Sequence, residues 1–476
     1  MAKPHALFAT VSLAGHFFPA VDLSAKLAAK GFIVTVATLD SGGSFSPDLF
    51  AAAAVASAAA RSQGLDIRFQ SLKDIANLPA AHRSWNHDTA IYAMLHHAFA
   101  PMEELLQKLL REDPPVTVLI ADTFNTWPSA MAKKYDLIHV SFWTQPALVF
   151  SLHYHKDLLI SNGHFASPDR NRKDTAVRYI PGIPEIQPHE LASIYQDKDA
   201  SSLVHKFTFK CFDELRGADF VLANTVEELE AEAISALRRE MPFYAIGPVF
   251  PDGLTGGISG SMAAIQDCSD WLDTMPAASV LYVSFGSAFH PGERDFREMA
   301  HGVLNSKVNF LWALPPDTVP LPDGFVAACQ GRGMVVPWCD QKEVLLHPAV
   351  GGFLTHCGWN STLESVWFGV PMLCFPLAFD QPPNCKLVSK DLKIGVRLGG
   401  SGEVNRDEVY DKIEGLMGGE VGAAVRMEME KVQKAARAAV ALNGSSSRNM
   451  DKFIDDLLKH LSEKNIRSTS EARCMF

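Results

Sequence analysis

Between Trp338 and Gln381 the chain reads WCDQKEVLLHPAVGGFLTHCGWNSTLESVWFGVPMLCFPLAFDQ. These residues include an indole, a turn of small and polar residues between a strand and a helix, a carboxylate inside that helix and a closing Asp-Gln pair. Residues 351–365 read as a strand, a tight turn through His356 and Trp359, and a helix starting near Asn360 or Ser361. Backbone N–H groups at a helix start bind phosphate, and Asn and Ser side chains add donors. His356, Asn360 and Ser361 are therefore the candidate diphosphate contacts. An Asn-Ser-Thr string before a helix is by itself an ordinary cap; its neighbours here favour a ligand. Glu364 shares a helix face with Asn360 by i,i+4 spacing, and its carboxylate can accept two hydrogen bonds from a ribose diol. Trp338 follows a strand, where an indole face stacks on a nucleobase for roughly 0.5 to 1.5 kcal/mol beyond area burial. In order, the stretch provides for a base, a diphosphate, a ribose and a sugar.

These groups need a scaffold, and the hydrophobic pattern supplies one. Residues 6–11 are β-rich, 19–30 have helical spacing with a Pro near the start, and 33–38 are β-branched again, a strand-helix-strand succession that implies a parallel βαβ unit. Apolar runs recur at 116–121, 139–142 and 220–223, and an Ala-rich helix is expected over 51–60. At 248–261 the composition shifts, six residues being Gly or Pro, which marks a linker. Strand signals then return at 279–284, 309–312, 334–336, 352–354 and 372–375. The expected class is α/β, with two Rossmann-like parallel-sheet domains facing a central cleft: residues 1–247, the linker 248–261, and residues 262–446. A C-terminal helix over 447–476 carries Phe453, Leu457, Leu458 and Leu461 on one face and packs back on the first domain. Its last dozen residues are expected to fray.

Composition narrows the function. At 476 residues, 47% hydrophobic and 20% charged, the chain has the makeup of a globular protein with more than one core. A net charge of −11 and an absence of basic stripes argue against nucleic acid, whose backbone demands clustered Lys and Arg. No apolar run approaches the roughly 20 residues of a membrane span, and no signal-peptide pattern opens the chain. The eight cysteines are scattered without a CxxC pair, so they read as reduced thiols, neither a disulfide framework nor a zinc site. A cytoplasmic protein without stable membrane insertion is expected.

The segment from Trp338 to Gln381 resembles the signature box of plant secondary-product UDP-glycosyltransferases, which it matches without insertion or deletion. Residues 220–229, 244–249, 271–287 and 444–456 also look like family segments, and 41–100 are the least similar. The resemblance implies a GT-B fold, with a UDP-sugar held by the C-terminal domain and an acceptor held mainly by the N-terminal one. Carried over by position, Trp338 and the Gln341 backbone hold uracil, Glu364 the ribose, and His356, Asn360, Ser361 and Ser287 the phosphates. Trp359, Asp380 and Gln381 contact the sugar, Gln381 favouring glucose, and Thr144 adds a sugar contact. His16 resembles the family's catalytic base and Asp122 its partner. A His of ordinary pKa can take a hydroxyl proton while a buried carboxylate fixes its tautomer. In-line attack then inverts the anomeric carbon. UDP-glucose is a co-substrate, no metal or other cofactor is required, and a monomer is expected.

Departures from the family pattern fall near the acceptor. The first loop reads SLAGHFFP where many relatives have Gln-Gly-His, so that Ala14 and Phe17 are expected to reshape the acceptor mouth. Phe375 and Phe379 replace a common Trp and a common small residue. Asp340 stands where Pro is usual and is expected to loosen the uracil loop. Phe17, Phe18, Trp143, Phe150 and Phe379 are the candidate walls of a pocket for a small apolar alcohol or phenol, core packing being the alternative for each. Asp197-Lys198-Asp199 has the DxD form of a metal-binding element but lies in a polar stretch and reads as a solvated loop. Two rival functions are a UDP-sugar-binding protein without turnover and a dinucleotide oxidoreductase. The latter needs GxGxxG after the first strand, which SLAGHFFPA lacks.

Overall fold

The computed structural model describes residues 3–40, 55, 58–73, 87–165, 175–197, 201–250, 266–286, 289–316, 318–329, 331–399 and 403–474. Two compact units emerge. The first comprises Met1–Tyr154, Ser201–Gly260 and Ala438–Phe476, and the second His155–Ala200 and Ser261–Arg437. The stretch His155–Ala200, read from sequence as part of the N-terminal half, belongs to the second unit. Ser193 ties it there: its N–H donates to the Phe379 carbonyl at 2.9 Å, and its hydroxyl accepts from the Phe379 N–H at 2.7 Å. Residues 251–261 of the expected linker, and 51–54, 56 and 57 of the expected Ala-rich helix, lie outside the described residues.

The first unit is built on seven parallel strands: β1 (His5–Thr10), β2 (Ile33–Asp40), β3 (Ile67–Lys73), β4 (Val116–Asp122), β5 (Ile138–Trp143), β6 (Phe220–Ala223) and β7 (Phe243–Ala245), in the order β3-β2-β1-β4-β5-β6-β7. Strands covered on both faces read as continuous apolar runs, and every residue of β1 is buried. Successive side chains alternate between faces. Ala6 and Phe8 join one core with Val34, Val118 and Val140, while Leu7 and Ala9 join another with Leu106, Leu119 and Met131. The helix Ser445–Cys474 closes the first core through Met450, Phe453, Ile454 and Leu457, with Leu458 and Leu461 packed at its edge.

The second unit repeats the plan with β8 (Val280–Ser284), β9 (Asn309–Ala313), β10 (Gly333–Val336), β11 (Val350–Thr355), β12 (Met372–Cys374) and β13 (Gly395–Arg397), ordered β10-β9-β8-β11-β12-β13. In each sheet the order reverses beside its first strand, between β1 and β4 and between β8 and β11. Ligands of open α/β sheets bind beyond the strand ends at such reversals. Among the described residues no helix is long and apolar enough to cross a membrane.

One buried group makes the first unit sensitive to acid. His139 on β5 is almost fully enclosed, with Nδ1 in hydrogen-bond contact with the Ser129 hydroxyl at 3.0 Å. Burial pushes its pKa down from 6.5 to about 4, against the pull of the Gly217 backbone. The unfolded chain takes up this proton near pH 6.5 and the folded chain only near 4, so the unfolded state binds more protons in between. Stability is fully present above pH 6.5 and is lost as pH falls towards 4. Thermal unfolding midpoints between pH 7 and 4.5 should fall with pH, and more gently in His139→Gln.

Candidate active site

The first reversal point holds the candidate base. His16 lies in the first turn of the helix Ala14–Ala29, which begins just after β1, and Asp122 is the last residue of β4. The β1 and β4 ends are neighbours in the sheet, which brings two residues 106 apart in sequence into contact: His16 Nδ1 and Asp122 Oδ2 are 2.7 Å apart. Asp122 is buried to 1% exposure, and its other oxygen accepts the Phe124 N–H at 2.9 Å. A carboxylate held on Nδ1 assigns the proton to that nitrogen and leaves Nε2 as the basic one. The Thr144 hydroxyl, just beyond β5, lies 3.2 Å from the same Nδ1, and the Phe124 ring packs edge-on against the imidazole. Thr144 thus steadies His16 directly, a link that sequence spacing does not reveal.

At the second reversal point, β11 runs into a turn and then the helix Trp359–Phe368. The helix starts at Trp359, slightly ahead of the expected position, with Gly358 as N-cap and no side-chain cap, so Asn360 and Ser361 belong to its first turn. Cys357 takes a left-handed φ of 65° to make the turn. Two glycines make room for His356: a Cβ on Gly358 would approach its Nε2 to 2.4 Å, and one on Gly286, at the end of β8, would approach its ring to 2.8 Å. Burial pushes His356 down to about 4 against the pull of the Ser284 backbone. At neutral pH it is an uncharged imidazole, able to offer a hydrogen bond to a phosphate but no positive charge. Ser287, the remaining candidate phosphate contact, lies outside the described residues.

Glu364 sits one turn further along. Desolvation holds its carboxyl above the usual range, opposed by the Lys342 ammonium and by the Gln341 amide. Gln341 Nε2 donates to Glu364 Oε2 at 2.6 Å and to Ser361 Oγ at 2.9 Å. Its role from sequence rests on its backbone alone, and the side chain proves to be the link between two candidate contacts. Trp338, two residues past β10, is half-buried and accepts the Gln266 N–H on its carbonyl at 3.1 Å. Asp340 corrects an expectation. Its carboxylate accepts the Lys342 and Glu343 N–H groups at 2.9 and 3.2 Å and caps the helix Gln341–Leu346. It fastens the loop after Trp338 where loosening was expected.

The closing pair is equally tied down. Gln381 Oε1 accepts the Leu377 and Ala378 N–H groups at 2.7 and 2.9 Å, which props up a loop whose next residue, Phe379, has a φ of 55°. Asn384, fully buried, donates to Asp380 Oδ2 at 2.7 Å and to the Cys357 carbonyl at 2.9 Å. It binds the Asp-Gln pair to the turn after β11; its only sequence signal is the i,i+4 spacing from Asp380. Trp359 is buried to 4% exposure.

The candidate acceptor walls divide. Phe17 is enclosed with Val21 and beside Phe18 and Phe69, and Trp143 and Phe150 are fully buried in an aromatic cluster with Phe212. All three rings are packed inside the first unit, as the core-packing alternative expects. Phe375 likewise joins the core of the second unit. Phe18 and Phe379 keep exposed surface. Of the DxD string only Asp197 is described, at the end of the short helix Ser193–Gln196.

UDP-glycosyltransferase 86A1 of Arabidopsis thaliana is 45% identical over 482 residues, covering 97% of this chain and 96% of that one. The chain belongs to the UDP-glycosyltransferase family. The family profile described as UDP-glucoronosyl and UDP-glucosyl transferase matches residues 195–411. A solved UDP-glycosyltransferase of Medicago truncatula complexed with UDP-glucose superposes with a TM-score of 0.81 at 26% identity, covering 96% of this chain and 98% of that one. One of Phytolacca americana, complexed with UDP-2fluoro-glucose and pterostilbene, gives 0.80 at 26% identity, covering 96% and 99%. This UDP-glycosyltransferase therefore has the GT-B class of fold and is an enzyme that transfers a sugar from a UDP-sugar to an acceptor.

Proposed function

We propose that this enzyme transfers glucose from UDP-glucose, with inversion, to a hydroxyl or carboxyl group of a small apolar acceptor, giving a β-glucoside. The observation that carries this reading is the 2.7 Å hydrogen bond between His16 Nδ1 and Asp122 Oδ2. It is the arrangement a general base requires: Nε2 takes the acceptor proton as the oxygen attacks the anomeric carbon, and the buried carboxylate stabilises the imidazolium that forms. A binding protein without turnover has no use for it.

In this reading the first unit handles the acceptor and the second the donor. Trp338 stacks on uracil, the Gln341 backbone pairs with it, and Glu364, steadied by the Gln341 amide, accepts the ribose hydroxyls. The first turn of the helix Trp359–Phe368 receives the diphosphate through Asn360, Ser361 and backbone N–H groups, with His356 as a neutral donor and Ser287 beside them. These fixed dipoles meet the charge that grows on UDP as it leaves, and the mechanism invokes no metal. Trp359, Asp380, Gln381 and Thr144 orient the sugar. Because Gln381 Oε1 is committed to the backbone, its Nε2 amide is the group that addresses the sugar.

The acceptor is a planar alcohol or phenol, and Phe18 is the candidate wall of the first unit that keeps accessible surface. UDP-glucose in the Medicago relative and pterostilbene in the Phytolacca one support both halves of the assignment. The free cysteines favour the cytosol, and the net charge of −11 favours a monomer.

The protein should be incubated with UDP-glucose, UDP-galactose, UDP-xylose, UDP-rhamnose and UDP-glucuronate, each with a library of planar phenols and alcohols, and the products weighed. The expected result is a one-hexose mass gain that is greatest with UDP-glucose, a β anomeric coupling in the product, and slow hydrolysis of UDP-glucose without acceptor. Product formation equally fast with every donor removes the glucose assignment, and no mass gain with any pair removes the acceptor class.

A further inference from the structure

Three cysteines meet behind the turn that follows β11. Cys357 comes from the turn itself, Cys374 from the end of β12 and Cys385 from the helix Gln381–Lys386. Their sulfurs all lie within 4.8 Å of one another, and all three side chains are fully buried. No CxxC spacing announces the group, because each sulfur arrives on a different element. Among the described residues it is the one cluster of three or more His, Cys, Asp or Glu groups with metal-ligand proximity.

The donor set selects its ion. Structural zinc is almost always four-coordinate, and among the described residues this cluster offers three sulfurs and no fourth His, Cys, Asp or Glu ligand. Soft thiolates select copper(I), which is satisfied by fewer ligands. Three sulfurs bonded at about 2.3 Å to a central ion, the figure for zinc–thiolate bonds, lie about 4.0 Å apart, so the cluster needs to contract by less than about 1 Å. Arg397 on β13 acts electrostatically on both Cys374 and Cys385, and its buried Nε has no hydrogen-bond partner among the described residues. A cation acting on two of the three thiols suits an anionic complex better than neutral S–H groups.

We propose that Cys357, Cys374 and Cys385 form a trigonal copper(I) site. Binding forms three Cu–S bonds and releases the three thiol protons, leaving a dianionic complex that Arg397 partly offsets; copper keeps its oxidation state. The site fastens together the turn after β11, the end of β12 and the helix that carries Gln381 and Asn384. Because the sulfurs are enclosed, the ion enters through local opening, and uptake is slow. The site does not depend on which sugar or acceptor the enzyme uses.

The test is an anaerobic titration of the fully reduced, full-length protein with copper(I) buffered by bathocuproine disulfonate. One equivalent should be retained, X-ray absorption should show three sulfurs at about 2.3 Å, and the thermal unfolding midpoint should rise with copper(I), since the ion binds the folded chain. Cys374→Ala and Cys385→Ala should each weaken retention by at least about 100-fold, the upper range for loss of an outer-shell partner. Cys268→Ala should leave it unchanged, although Cys268 and Cys339 are themselves neighbouring thiols. Retention unaffected by either of the first two substitutions, or abolished by Cys268→Ala, overturns the assignment. Should the first two variants fail to fold, a two-sulfur shell in the unsubstituted protein overturns it equally.

Discussion

His16→Ala is expected to slow sugar transfer by about 10²- to 10⁴-fold, the usual worth of a positioned general base, while UDP binds as before. The separation of the two effects follows from the architecture. His16 stands at the strand reversal of the first unit, whereas the candidate UDP contacts all belong to the second. Steady-state kinetics with a phenolic acceptor should therefore show the loss in kcat, and calorimetry with UDP should show an unaltered Kd. Asp122→Asn gives the complementary result. An amide in place of the carboxylate can present its N–H to Nδ1, which favours the tautomer with the proton on Nε2 and removes the basic lone pair from the reacting side. Its Oδ1 partner, the Phe124 N–H, can still be satisfied by an amide oxygen, so the fold should survive. Asp122→Asn should approach His16→Ala in rate, and the double variant should be little slower than either single one, because the two residues act as one unit. If His16→Ala retains wild-type turnover, the pair is structural and another group takes the proton.

Most of the sheet architecture is legible in the sequence, because strands buried on both faces leave unbroken apolar runs. Ten strand signals coincide with strands, and among the described residues three further strands give no signal, for physical reasons. The strand β3 lies at a sheet edge and is only half-buried, with Arg68 and Gln70 along it, while β7 and β13 are three residues each. The assignment of His155–Ala200 to the second unit is not legible, since it rests on tertiary contacts such as Ser193 with Phe379 and on no local pattern. The same limit applies within the site. Residues close in sequence, such as His356, Asn360 and Glu364, can be placed from strand and helix geometry. The Gln341 amide, the Asn384 bridge and the three-cysteine cluster arise where separate elements converge, and spacing carries no trace of them. Asp340 shows a further failure: measured against the family pattern it is a missing Pro, yet by elementary capping chemistry it is a good N-cap. Trp143 and Phe150 were candidates because aromatic residues near strand ends serve pockets and cores alike, and burial alone separates the two uses.

Glu364→Gln should weaken UDP binding by about 10- to 150-fold, from the roughly 1.5 to 3 kcal/mol of a hydrogen bond to a charged group, without making the protein less stable. The two expectations share one cause. Burial holds the Glu364 carboxyl above its usual range, so its ionised form is disfavoured in the folded chain relative to the unfolded one. A folded-state pKa above the unfolded value means that the stability linked to this group is fully present below about pH 4.5 and is lost as pH rises through the folded value. At pH 7 the wild-type protein carries that penalty and the amide does not. The amide oxygen can still accept from Gln341 Nε2, which preserves the 2.6 Å link and the connection to Ser361, but it offers one acceptor where a carboxylate offers two to the ribose diol. Thermal unfolding at pH 7 should place the variant at or above the wild type, with the difference closing by pH 4, where the wild-type carboxyl is protonated. UDP titrations at pH 7 should show the loss of affinity, and uridine should suffer it as well, because the proposed partner is the ribose and not the diphosphate. A variant that binds UDP normally and unfolds earlier would make Glu364 a structural partner of Gln341. A variant that loses affinity for UDP but not for uridine would move the carboxylate's role to the phosphates. The expected pairing, weaker donor binding in a protein no less stable, is the signature of a charge kept in a costly place for the sake of its ligand.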